Sequence, residues 1–110
     1  MFIAMNRFKV STGAATEFEQ IWLKRESYLH ELEGFVEFHL LRGPAREDHV
    51  LYSSYTLWET KAHFEAWTQS EQFRVAHTRA SAGPQLTLGH PEFEGFEVLQ
   101  TIGRQPQAAA

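Results

Sequence analysis

Cysteine is absent from this 110-residue chain. That excludes disulfides, thiolate nucleophiles, iron–sulfur clusters and cysteine-type zinc sites, and it fits a reducing compartment. Long apolar runs are missing as well. No stretch approaches the ~18 residues of a membrane span. The start, Met1-Phe2-Ile3-Ala4-Met5-Asn6-Arg7, has no charged segment ahead of a long apolar one and does not read as a signal peptide. A cytoplasmic protein without membrane attachment is the expectation. Basic residues are outnumbered, ten Lys and Arg against fourteen Asp and Glu, for a formal charge of −4. Nucleic-acid binding needs a basic footprint, and no basic run exists, so no nucleic-acid partner is expected. The chain also lacks a glycine-rich phosphate loop, a dinucleotide fingerprint and a G-x-S-x-G nucleophile elbow. This argues against NAD, FAD or ATP held in the usual ways.

What remains is an ordinary globular composition, 43% apolar and 22% charged, with a high aromatic share of 14% that includes nine Phe. The length allows one domain. A domain of this size buries roughly two-thirds of the surface that its unfolded chain exposes. That supports a single core but not a large internal cavity, so a bulky cofactor belongs in a cleft or at an interface.

Residues 2–10 read as a strand, with Phe2, Ala4, Phe8 and Val10 alternating with other residues. Ser11-Thr12-Gly13 is turn chemistry. From Ala14 the period changes: Phe18, Ile21, Trp22 and Leu29 recur at helical spacing, which predicts a helix to about Leu32, stopped by Gly34. Phe35 to Leu41 predicts a second strand, ended by Gly43-Pro44, and Val50 to Trp58 a third, the two forming an antiparallel hairpin. Thr60 is a plausible N-cap for a short helix carrying Ala62, Phe64, Ala66 and Trp67. A second helix starts near residue 70, capped by a Thr68/Glu71 box or by Ser70, and runs to about Arg79. Ser81 to Pro84 reads as loop, His90-Pro91 as a break, and Phe93 to Ile102 as the last strand. The domain thus spans 1–102, and the tail 103–110 is expected to be disordered. The order βαββαβ is the ferredoxin-like α+β arrangement. Its helices cover one sheet face only, and aromatic residues on both faces predict a homodimer packed sheet to sheet.

Six histidines are present, and none has a recognised metal spacing. His77 is the most suggestive. It falls on the helix that begins near residue 70, with Phe73 one turn earlier on the same face and small Ala76 and Ala80 nearby. Such a setting suits an imidazole offered to a flat cofactor, and haem iron commonly takes one proximal His. Taken alone, such a histidine is more often an ordinary surface or core residue. Trp67 at its helix end is either a core anchor or a wall against a planar ligand. Asn6 shares a face with Ala4 and Phe8; if that face is inward, its amide needs partners.

The stretch Trp58-Glu59-x-x-x-x-Phe64-x-x-Trp67 resembles the signature of the antibiotic biosynthesis monooxygenase superfamily of small dimeric ferredoxin-like proteins. Ser70-Glu71-x-Phe73-x-x-Ala76-His77 extends it and resembles the IsdG-type haem-degrading monooxygenases. Met5-Asn6-Arg7 and Glu33-Gly34-Phe35 are similar to the same group, and the run Gly34 to Arg42 resembles above all its mycobacterial and rhizobial members. The resemblance covers roughly residues 1–102. His90-Pro91 has no clear counterpart in it.

That resemblance implies a dimeric α+β barrel and assigns roles. His77 would be the proximal haem-iron ligand, Asn6 the distal amide, and Trp67 the residue that presses on the haem and distorts it. Trp22 and Phe73 would line the pocket, and Arg25 would pair with a propionate. Haem would be cofactor and substrate together. Dioxygen and an external electron donor would complete a reaction that opens the macrocycle and frees iron for acquisition. The alternatives are a cofactor-free quinol or polyketide monooxygenase of the same superfamily, and a haem carrier that leaves the ring intact.

Overall fold

The computed structural model describes residues 1–25, 28–82 and 85–104. Four strands, β1 (Phe2–Ser11), β2 (Phe35–Ala45), β3 (His49–Trp58) and β4 (Glu92–Glu97), form one sheet in the order β2-β3-β1-β4, with all neighbours antiparallel. Helix α1 (Ala15–Leu23) lies between the first two strands; α2 (Lys61–Thr68) and α3 (Glu71–Ala82) lie between the last two. This is the ferredoxin-like βαββαβ fold.

The alternation of β1 is what fixes its sidedness. Phe2, Ala4 and Val10 are buried against helices, so Ile3, Met5, Arg7 and Lys9 face the other way. On β3 the same rule buries Tyr52, Ser54, Thr56 and Trp58. Two core clusters result on the helix-covered face. Phe2, Ala4 and Trp58 form one, joined by Leu29, Leu32, Phe35, Phe64 and Trp67. Val10, Phe18 and Tyr52 form the other, joined by Phe8, Trp22 and Leu40 among others. The opposite face carries Ile3, Met5, Tyr55, Leu57 and Phe96 with no helix over it. Aromatics are therefore concentrated on one face and sparse on the other, where Arg7, Lys9, His39, His49, Glu92 and Glu94 stand among the apolar side chains.

Several boundaries differ from those expected. The helix expected from Ala14 to Leu32 ends at Leu23; Leu29–Glu31 form a separate 3₁₀ turn. The break lets Leu29 reach the Trp58 cluster rather than the α1 side. Strand β2 continues past Gly43-Pro44 to Ala45, with a register shift between Arg42 and Ala45. Proline is tolerated there because β2 is an outer strand and the pairing is already interrupted. Strand β4 stops at Glu97 instead of Ile102. Its partner β1 begins at Phe2, opposite Glu97, so later residues run past the end of the sheet. Leu99 and Ile102 are accordingly 93% and 83% exposed.

The helix α3 extends to Ala82, beyond the expected Arg79. Ser70 is its cap: the hydroxyl accepts from the Phe73 N–H at 3.1 Å, whereas the Thr68 hydroxyl donates backwards to the Glu65 carbonyl. Thr60 caps α2 as expected, accepting from the His63 N–H at 3.1 Å. Gly34 has φ +82°, and a Cβ there would fall 2.1 Å from His63 Cγ, so both backbone and packing require glycine. Of the tail expected to be disordered, Gly103 and Arg104 are exposed and irregular; residues 105–110 lie outside the described residues.

Candidate functional site

The floor of the candidate site is the middle of the helix-covered face, between the two core clusters. Its rows can be read from the strand register. One row runs Phe93, Asn6, Ser54, Leu40 and the next Gly95, Ala4, Thr56, Phe38. Asn6 is half-buried and shares the face of Ala4 and Phe8, as its alternation requires. Its side-chain amide makes no hydrogen bond among the described residues. Ser54 and Thr56 are buried, 6% and 8% exposed, and their hydroxyls also lack partners there. Three polar groups thus form a strip across a floor that is otherwise apolar.

Two aromatic walls flank the strip. On the α1 side, Trp22 stacks on Phe38 with centroids 5.9 Å apart and planes at 8°. Arg25 holds its guanidinium 4.4 Å from the Trp22 ring centroid, a cation–π contact. On the other side Phe64 stacks on Phe93 at 5.5 Å. A continuous chain of ring contacts runs from buried Trp58 to Trp67 (5.6 Å), to Phe73 (4.8 Å, perpendicular) and to His77 (3.9 Å). The indole N–H of Trp58 is buried without a partner.

The structure places His77 on the face of α3 that carries Phe73. Its Nδ1 lies 3.0 Å from the Phe73 carbonyl oxygen. A carbonyl only accepts, so Nδ1 carries the proton and Nε2 keeps its lone pair. The ring is exposed and lines a hollow of about 690 Å³ at the α2–α3 elbow, together with Ser70, Phe73 and Arg74. The six residues singled out from sequence therefore fall into three groups. Trp67, Phe73 and His77 touch in series; Trp22 and Arg25 touch each other; Asn6 lies on the floor between. Among the described residues no ring contact joins the Trp22 group to the His77 group.

Charged groups sit at both ends: Arg74 pairs with Glu71 beside His77, and a second cluster lies at the α1 end. Tyr52 donates its hydroxyl to the Glu19 carboxylate, and Arg42 donates to the same carboxylate at 3.1 Å. The Tyr52 hydrogen bond, then Arg42, hold the Glu19 carboxyl below its ordinary range against the opposing effect of burial. Burial, then the Glu19 hydrogen bond and charge, push the Tyr52 phenol up. This clamp ties α1, and with it the Trp22 wall, to β3 and β2.

Sequence reasoning missed Ser54, Thr56, Phe38, Phe64 and Phe93 as parts of the site. A signal for the first two was available: the alternation that singles out Asn6 also puts Ser54 and Thr56 in line with Tyr52 and Trp58.

The fold defines a ferredoxin-like protein whose helical face carries aromatic side chains on either side of Asn6. The pattern of the antibiotic biosynthesis monooxygenases matches residues 1–79, and the chain belongs to that family. It is similar to a heme-degrading monooxygenase of Shouchella clausii, 33% identical over 113 residues, covering 100% of this chain and 99% of the relative. It is also similar to the heme degrader MhuD of Mycobacterium tuberculosis, whose structure has two hemes bound in its active site. That likeness has TM-score 0.69 and 27% identity, and covers 94% of this chain and 100% of the other. The same fold is shared with SnoaB, a cofactor-independent oxygenase from Streptomyces nogalater, at TM-score 0.67 and 27% identity, covering 92% and 95% of the two chains.

Proposed function

We propose that this chain is an IsdG-type haem-degrading monooxygenase that opens the haem macrocycle and releases iron, using dioxygen and an external electron donor. The observation that carries the reading is His77. Its Nδ1 proton is committed to the Phe73 carbonyl, so Nε2 is an available ligand atom, and the hydrogen bond fixes tautomer and ring orientation as is usual for metal-bound histidines.

The other residues fit a haem substrate. Trp22 and Trp67 offer flat walls, Arg25 brings positive charge for a propionate, and Phe73 packs beside the ligand histidine. Haem supplies the oxygen chemistry when bound. The protein's part is to hold it through His77, to press on the macrocycle with Trp67, and to donate an Asn6 N–H toward the open side. Distortion of the macrocycle is one of the levers a protein has on haem reactivity. A preorganised amide donor stabilises charge that develops on oxygen.

The site is completed in a homodimer formed through the uncovered sheet face, where Ile3, Met5, Tyr55, Leu57 and Phe96 need a partner. The setting is the reducing cytoplasm, which also supplies the donor. The likeness to SnoaB supports one rival reading, cofactor-free oxidation of an aromatic substrate in the same cleft.

The test is a haemin titration of the purified protein, followed by ascorbate in air with catalase present. A saturable Soret band that decays with iron release is the expected result. A band that persists makes the protein a haem carrier. Absence of any Soret shift discards haem altogether and directs the search to aromatic quinols.

A further inference from the structure

Asn6 has four nearest neighbours on its own face of the sheet. Along β1 these are Ala4 and Phe8; across the sheet they are Phe93 on β4 and Ser54 on β3. Only Ser54 has a side chain that can hydrogen-bond. A carboxamide without a partner presents its oxygen or its NH₂ group almost interchangeably. A distal donor must present the NH₂. Something has to choose between the two orientations, and the sheet register leaves one candidate.

We propose that Ser54 is the positioning residue for Asn6. Its hydroxyl accepts one of the two Nδ2–H groups, and this turns the other N–H into the cleft. The inference rests on the reading of Asn6 as the distal donor. Directly opposed residues on antiparallel strands have Cβ atoms about 4.5–5.5 Å apart, so rotation about χ1 of Ser54 and the Asn6 amide closes the bond.

Ser54 and Thr56 are buried residues, 6% and 8% exposed. The Ser54 hydroxyl makes no hydrogen bond among the described residues, so its lone pairs are open to Asn6.

The first measurement needs no haem. Proton–deuterium exchange of the Asn6 side-chain amide is followed by NMR in the wild type, Ser54→Ala and Ser54→Thr. One of the two Nδ2 protons should be protected in the wild type and in Ser54→Thr, and protection should be lost in Ser54→Ala. Equal exchange in all three overturns the proposal. Unchanged thermal unfolding midpoints show that the variants are folded; if Ser54→Ala fails to fold, Ser54→Val takes its place, and two equally exchanging Nδ2 protons in the wild type overturn the proposal by themselves.

The second measurement uses the ferric haem complex and azide as the probe anion. Ser54→Ala and Asn6→Ala should each weaken azide binding about tenfold, the worth of one hydrogen bond. The double variant should be no weaker than Asn6→Ala alone, because Ser54 acts only through the amide. Effects that multiply overturn the proposal. If the wild type takes up no haemin, the functional reading falls while the exchange experiment still judges the Ser54–Asn6 pair.

Discussion

The two ends of the helix-covered face are held by different forces. At the Trp58 end, α2 and the 3₁₀ turn are fastened by rings and aliphatic side chains: Phe2, Phe35, Phe64 and Trp67 surround Trp58, whose own N–H is left without a partner. At the Tyr52 end, α1 adds a polar clamp in which a buried phenol, a carboxylate and a guanidinium converge. Apolar packing is insensitive to pH, whereas the clamp titrates. The wall that carries His77 is therefore built on the end whose stability is constant, and the Trp22 wall on the end that responds to its surroundings.

The largest test of this contrast is Trp58→Ala. Removing a fully buried Trp costs about 3–5 kcal/mol, much of the total stability of a small domain. Urea denaturation should show a drastically lowered midpoint, at every pH in the stable range. A change below about 1 kcal/mol would mean that α2 is not anchored by this ring.

Gly34→Ala should come next. A positive φ at a non-glycine residue costs of order 1–3 kcal/mol, and the new methyl also meets His63. The same urea series measures it, and a neutral result would show that β2 can re-enter the sheet without a left-handed residue. Thr60→Ala removes the α2 cap and should cost about 1 kcal/mol. Urea denaturation measures it, and an unchanged midpoint would show that the Thr60 hydroxyl contributes nothing to α2.

Tyr52→Phe should have the smallest effect of the four, because Glu19 retains Arg42, and that effect should be largest near neutral pH. Its effect lies in the pH profile. Glu19 titrates lower in the folded chain than in the unfolded one. Its contribution is thus present above its ordinary value of 4.5 and lost as pH falls through the folded value. Tyr52 titrates higher when folded, so its contribution is complete below its ordinary value of 10.0 and lost as pH rises through the folded value. Thermal midpoints measured across pH should fall less steeply at both extremes in Tyr52→Phe than in the wild type. Parallel curves for the two proteins would show that the clamp carries no linkage.

Much of this was legible in the sequence where one face of an element is buried and the other is not. The alternation of residues 2–10 yields both β1 and the inward placement of Asn6. Thr60 and Ser70 mark their helices because a hydroxyl ahead of a helical stretch has unsatisfied N–H groups to meet. The failures also have physical sources. Leu29 keeps helical spacing with Trp22, but spacing does not reveal that α1 ends at Leu23 and that Leu29 packs in the Trp58 cluster instead. The early end of β4 depends on where β1 begins, a fact about the neighbour. Ser54 and Thr56 disappear into an otherwise hydrophobic strand unless each face is read separately. The roles proposed for Trp67 and His77 rest on family resemblance, since an imidazole beside a phenyl ring has many uses.

Pro44 has a consequence for the behaviour of the chain in concentrated solution. It sits on β2, one of the two outer strands, where the pairing register is already shifted. An outer strand with a full row of free N–H and C=O groups is a template on which further chains add, ending in fibrils. Here one donor is missing and the backbone is bent at that point, so an incoming strand cannot run in register along the whole edge. In a protein this rich in Phe and Trp, that single ring is a guard against self-templated assembly.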